Sequence, residues 1–267
     1  MKKLLTLWIL LFTVLLASCD DTDVAEVTYP TEEVYVSQMT ETALGVTTTY
    51  SYNYEGNKLT SVTAPGYERL YTYVNDLLVR EEIRVNGVVY SYTVFSYTAD
   101  KALAQTINIS DNGDGTWAGF KRRYARNTDG TLTVASYRGN ETGQYDFVAT
   151  VTLTYTNGTI TKGVLLLEDV DVDDDVEPLP YITTLGYDNG KAPFKNIFGY
   201  EGLVLAKLNG GVNNLVSVEN KSTIINDEGI EEEQVTSTET YTYTYNENNY
   251  PLTETGNGIS RQYTYTP

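Results

Sequence analysis

A chain of 267 residues with 36 acidic and 18 basic side chains carries a formal charge of −18. Such a balance repels nucleic acid and anionic lipid headgroups, which excludes both as partners. The sequence has no His, which removes His-dependent triads and the commonest transition-metal ligand, and its single Cys, Cys19, has no partner for an intrachain disulfide.

At the N-terminus, Lys2 and Lys3 precede an apolar run from Leu4 to Leu16. The run is too short to span a bilayer as a helix and has the form of a secretory signal. Leu16-Ala17-Ser18-Cys19 resembles the lipobox of bacterial lipoproteins. That resemblance implies a signal peptide over residues 1–18 and lipidation of Cys19, whose acyl chains would hold the protein on the outer membrane. Asp20 to Glu33 is acidic, contains Pro30 and lacks periodicity, so residues 19–33 are predicted to be a tether. Its opening, Asp20-Asp21-Thr22-Asp23, resembles the signal that sends Bacteroidetes lipoproteins to the cell surface; the alternative is a periplasmic orientation.

From residue 34 to residue 267 the pattern has period two, which predicts one all-β domain. Tyr50, Tyr52 and Tyr54 alternate with polar residues, Glu55-Gly56-Asn57-Lys58 turns, and Leu59 resumes. Related units begin at Tyr71 and Tyr90, a period of about 20 residues, which is two strands of typical length with two turns. Asn86-Gly87 is a strong hairpin signal. Arg123 to Thr133 is a degraded copy and Val151 to Ile160 a well-preserved one. Tyr241, Tyr243 and Tyr245 open the last pair of repeats, after a charged hairpin loop expected over Asn226 to Glu233. The array reads as a long antiparallel meander, strongly twisted and curled into a sheet or an open barrel-like roll.

Two segments break the rhythm. Glu168 to Glu177 is a very acidic loop, in which Asp169, Asp171, Asp173 and Asp175 are weak candidates for Ca²⁺, because the Gly and closing Glu of an EF-hand loop are missing. A solvated surface loop is the competing reading. Between Phe194 and Leu208, Phe194, Ile197, Phe198, Leu205 and Leu208 fall roughly at helical spacing, predicting one short apolar or helical insert that covers part of the sheet's inner face.

The unit Tyr-x-Tyr-x-Tyr-(Asn/Asp)-x-x-Gly-x-Leu-Thr resembles the YD repeats of bacterial surface proteins. With the lipobox and the segment Tyr187-Asp188-Asn189-Gly190-Lys191-Ala192-Pro193-Phe194, the chain looks like uncharacterised YD-repeat-like lipoproteins of Bacteroidetes. The resemblance implies a large antiparallel sheet and brings no catalytic residues with it.

No phosphate-binding loop is present, and no cofactor is expected. The reading that follows is a non-enzymatic, lipid-anchored envelope protein serving as a structural or interaction module, with an envelope protein or a glycan as partner. One rival is a glycan-binding lipoprotein in which Tyr50, Tyr52, Tyr54, Tyr241, Tyr243 and Tyr245 form a ligand platform; the competing role for these rings is sheet stabilisation. A carboxylate-based hydrolase is a more distant rival. A membrane-spanning porin is a weaker structural alternative, because its lipid-facing positions would need an apolar band where Thr, Ser and Asn abound.

Overall fold

The computed structural model describes residues 33–167, 179–226 and 228–266. Cys19, the acidic tether before Glu33, and Asp169, Asp171, Asp173 and Asp175 lie outside them. The strands run β1 (Tyr35–Ala43), β2 (Val46–Glu55), β3 (Lys58–Ala64), β4 (Tyr67–Val74), β5 (Leu77–Val85), β6 (Val88–Tyr97), β7 (Leu103–Asp111) and β8 (Trp117–Arg126). They continue as β9 (Leu132–Asn140), β10 (Gln144–Thr156), β11 (Thr159–Leu167), β12 (Tyr181–Lys191), β13 (Asn213–Ile225), β14 (Glu231–Tyr245), β15 (Pro251–Gly256) and β16 (Ile259–Thr266). One helix, α1 (Tyr200–Lys207), falls between β12 and β13.

Each strand pairs with its sequence neighbour, and β1 pairs with β16, so the sheet is a closed barrel. The meander and the short helical insert are as the sequence predicts, and the predicted curl goes to completion. Closure removes the unpaired edges that an open sheet of this length would expose. The expected loop at Asn226–Glu233 is shorter than predicted, since β14 already begins at Glu231. At Asn86-Gly87 both residues have positive φ, 51° and 81°, as a two-residue turn matched to the strand twist requires.

The repeat has a structural signature. Tyr54 faces Leu59, Tyr73 faces Leu78, Tyr97 faces Leu103, Tyr155 faces Ile160 and Tyr245 faces Pro251, each just past a register shift. The extra residue of a bulge bends the strand and increases its twist, which suits a sheet that must close. The inward tyrosine of one strand then reaches the backbone of the strand before it. The hydroxyls of Tyr97, Tyr187 and Tyr265 donate to the carbonyls of Leu78, Ile160 and Pro251 at 2.8, 2.7 and 2.8 Å. A Phe would fill the same space and leave those hydroxyl bonds unmade, which gives one reason for 24 Tyr against 6 Phe.

The segment from Ala192 to Val212 folds into the lumen. The helix within it is shorter than the apolar spacing predicts: Phe194 to Gly199 forms turns, and helical structure starts only at Tyr200. Gly199, at φ 78°, turns the chain into the helix. On one side Val204 and Leu205 pack into a buried cluster with Tyr124, Leu132, Val134, Leu153, Tyr155, Ile160 and Leu185, from the wall β8–β12. On the other side Ile197 meets Leu59 and Val62, with Tyr50, Tyr52, Tyr54, Tyr71 and Phe194 partly buried around them.

Candidate functional site

Between the insert and the wall made by β1–β4 and β16 lies a cavity of about 440 Å³. Tyr200, Leu203, Val204 and Lys207 line it from the helix, at the i, i+3, i+4, i+7 spacing that puts four side chains on one face. Facing them are tyrosines and three charged residues of the wall: Glu41, Arg69 and Arg261. A second cavity, of about 430 Å³, adjoins the opposite side of the helix at Gly199, Glu201 and Gly202.

Arg261 organises the first cavity's wall. Its Nε donates to Glu41 at 2.7 Å and its Nη1 to Glu254 at 2.6 Å, while the Tyr263 hydroxyl donates to the other oxygen of Glu254 at 2.5 Å. Glu41, Arg261 and Glu254 sit opposite one another on β1, β16 and β15, so the group pins the strand pair that closes the barrel. Burial, followed by the charge of Glu254 and its hydrogen bond, pushes the Tyr263 hydroxyl well above its ordinary pKa. Across the cavity Arg69 donates to the Tyr67 hydroxyl at 2.8 Å and lies 3.3 Å from Glu81. Glu81 Oε1, though inside that ion pair, has no aligned hydrogen bond among the described residues. Burial, with Glu81 second, also raises the Tyr71 hydroxyl pKa.

Lys207 is the remaining cation. It is exposed to the lumen and makes no ion pair within 4 Å among the described residues. Burial within the barrel, then Arg69, lowers its pKa; Glu81 opposes this and Arg261 adds to it.

The six tyrosines of the predicted platform all lie on the lumenal side of the wall, and none is an open surface plate. The hydroxyls of Tyr54 and Tyr243 donate to the carbonyls of Val36 and Leu215 at 3.0 and 2.8 Å. Tyr241 bonds Glu239 at 2.6 Å and Tyr245 bonds Asp188. Tyr50 and Tyr52 alone among the six line the larger cavity. Tyr52 lies against Phe194 of the insert, with ring centroids 5.1 Å apart. Among the described residues no group of three or more His, Cys, Asp or Glu could hold a metal ion. Sequence reasoning overlooks Arg69, Arg261, Glu41, Glu254 and Lys207. A signal for the arginines is present, since Tyr67-x-Arg69-x-Tyr71 and Arg261-x-Tyr263-x-Tyr265 place each guanidinium in phase with inward rings.

The outer face differs around the barrel: on β6 to β9 register turns Tyr92, Val94, Ile107, Ile109 and Tyr137 outward beside Arg80, Glu82 and Lys121, and elsewhere small polar residues prevail. Register puts Thr47, Thr49, Ser51 and Asn53 outward on β2, Thr238, Thr240, Thr242 and Thr244 on β14, and Ser260, Gln262 and Thr264 on β16. Threonines pair across strands, Thr40 with Thr49 at 3.0 Å and Thr244 with Thr253 at 2.7 Å. Outward Arg80, Glu82 and Arg84 form an ion ladder at 2.7 and 2.8 Å, and Lys221 lies between Glu219 and Glu233 at 3.3 and 3.2 Å. Among the described residues no helix is long and apolar enough to cross a membrane, a fact silent about strands.

No family model matches the chain, and no curated protein does. Solved structures do. A porin-like protein from Bacteroides vulgatus superposes with a TM-score of 0.57 at 12% identity, over 88% of this chain and 100% of that one. A second porin-like protein, from Bacteroides uniformis, gives a TM-score of 0.45 at 13% identity, over 86% of this chain and 96% of that one. The first likeness is one of fold: this chain is a 16-stranded antiparallel barrel resembling porin-like proteins of Bacteroides.

Proposed function

We propose that this protein is a lipid-anchored, non-enzymatic barrel of the outer membrane. It is attached through Cys19, stands in water beside the bilayer, and works as a binding or interaction module. It encloses a lumen and does not conduct through it. The observation that carries this reading is the orientation of the wall. A membrane barrel turns an apolar band about 25 Å tall to the lipid and keeps a polar interior. Here the outward positions of β2 and β16 and of the second half of β14 are Thr, Ser, Asn and Gln. The apolar outward residues of β6 to β9, Tyr92, Val94, Ile107, Ile109 and Tyr137, are interrupted by Arg80, Glu82 and Lys121, while the aliphatic clusters face in and pack on the insert. The wall carboxylates nearest a hydrolase pair, Glu41 and Glu254, are both committed to the guanidinium of Arg261, which favours a structural role over acid–base work.

All sixteen strands lie within the compact unit Glu33–Pro267, so a chain starting at Asp20 retains every strand. That chain is expected to stay monodisperse in buffer without detergent, and to give no conductance steps in a planar bilayer. The full-length protein is expected to pellet with membranes, and Cys19→Ser to release it. A requirement for detergent by the Asp20 chain, or stepwise conductance, would establish a spanning barrel instead.

A further inference from the structure

We propose that the larger lumenal cavity binds a small monoanionic carboxylate with a flat, apolar body, the carboxylate meeting Lys207 and the body lodging against Phe194 and Tyr52. At about 440 Å³ the cavity lies within the range of small-molecule sites. Most of its lining residues are apolar or aromatic, and charged groups and tyrosine hydroxyls contribute nearly as much of its surface. Met39, Leu59, Val62, Ile197, Leu203 and Val204 supply the apolar part. The charges around the cavity balance in number, Arg69, Arg261 and Lys207 against Glu41, Glu81 and Glu254, but not in place. Arg69 is answered by Glu81 and Arg261 by Glu41 and Glu254, which leaves Lys207 as the cation without a carboxylate among the described residues. A single carboxylate meets the one cation with no ion pair of its own, whereas a dianion would bring a second charge for which no unpaired cation among the described residues lines the cavity.

The insert supplies both halves of the site. The helix carries Lys207, and the turn before it carries Phe194, whose ring lies 5.1 Å from Tyr52 and 6.4 Å from Tyr263. Tyr200, on the same helix face as Lys207, is fixed by its hydroxyl bond to the Gly211 carbonyl at 3.0 Å. The aromatic half of the site is therefore held in place before any ligand arrives, which lowers the ordering cost of binding.

The proposal rests on reading the barrel as a container. Solubility and conductance test that reading with no ligand present, so a soluble, non-conducting barrel that fails the following experiment sinks this proposal alone. Isothermal titration calorimetry of the chain from Asp20 is run with naphthalene-2-carboxylate, naphthalene-2-carboxamide, glucuronate and glucose. A charge-assisted contact predicts that the naphthoate binds at least about tenfold more tightly than its amide. Lys207→Met is expected to remove that preference and keep the weaker amide binding. Leu203→Trp, which fills the cavity from the helix, is expected to abolish both. Equal affinity for acid and amide, an unchanged preference in Lys207→Met, or no naphthoate binding would overturn the proposal. Tighter binding of glucuronate or glucose than of naphthoate would also overturn it, and assign the cavity to saccharides.

Discussion

The two walls that face the insert are built from the same repeat and do different things with it. Against β8–β12 the insert is packed dry: Val134 and Ile160 have no exposed surface, Leu153 has 1%, and Val204 and Leu205 interdigitate with them. Against β1–β4 and β16 it stands off, and the gap is lined by tyrosines, two arginines and the end of the helix. The dry contact sets where the helix lies, and the stand-off creates the cavity. Burial on one side thus provides the positioning, and on the other side ion pairs and hydroxyl bonds hold a roomier wall in which Glu81 Oε1 is left without an aligned hydrogen bond among the described residues.

The largest effect expected from disturbing this arrangement is alkaline unfolding, which engages both walls at once. Tyr73, Tyr97 and Tyr200 are pushed up to about 12, chiefly by burial, and Tyr52 and Tyr155 are raised as well. A folded-state pKa above the unfolded value of about 10 means that this stability is fully present below pH ~10 and is lost as pH climbs toward the folded values. Tyrosinate absorbance from the buried rings should therefore appear together with loss of the circular dichroism signal. Smooth ionisation of all tyrosines with the fold intact would mean that the lumen is far wetter than its contacts show.

Next comes Arg261→Met, which leaves Glu41 and Glu254 facing each other at the closing seam. Breaking a largely buried pair costs about 3–5 kcal/mol, and adding Glu254→Gln should recover part of the loss. Chemical denaturation of the single and double variants measures the coupling. If the single variant is as stable as the parent, the seam does not depend on this group.

On the dry wall Leu153→Ala should cost about 2–5 kcal/mol. Leu59→Ala should cost less, because Leu59 borders the cavity and gives up fewer contacts. Equal losses would erase the contrast between the walls.

Much of this architecture is legible in the residues. Alternating Tyr and Thr mark the strands, Asn-Gly and Glu-Gly mark the turns, and the apolar run after Pro193 marks the insert. Closure is not legible, because it joins Glu41 to Arg261, 220 residues apart, and no local pattern encodes that pairing. The helix is only partly legible, since its apolar spacing begins at Phe194 but the left-handed Gly199 delays helical structure to Tyr200. For the tyrosines, sheet stabilisation and an exposed platform both stay open in the sequence, because the alternation shows that one face is aromatic without showing which face is inside. The cavity's charges are missed for the opposite reason: an Arg in phase with inward tyrosines looks like a surface residue until the phase is assigned to the lumen.

The smallest expected effect concerns the outer face, and it tests which side of the wall meets water. Thr244 and Thr253 share a hydrogen bond at 2.7 Å on the outside of β14 and β15. Changing both to Val removes donor and acceptor together and leaves neither partner stranded. Valine also suits a strand at least as well as threonine. In water the two changes should sum to within about 0.5 kcal/mol of the parent, as surface substitutions away from special features do. On a lipid-facing wall the same pair would bury apolar surface in hydrocarbon and remove two hydroxyls from it, so the variant would gain stability in vesicles and partition into them from the chain lacking its leader. A neutral result in buffer with no vesicle association keeps the threonine face in water. Vesicle binding that increases with each Thr→Val change would turn the wall toward the bilayer and reverse the functional reading built on it.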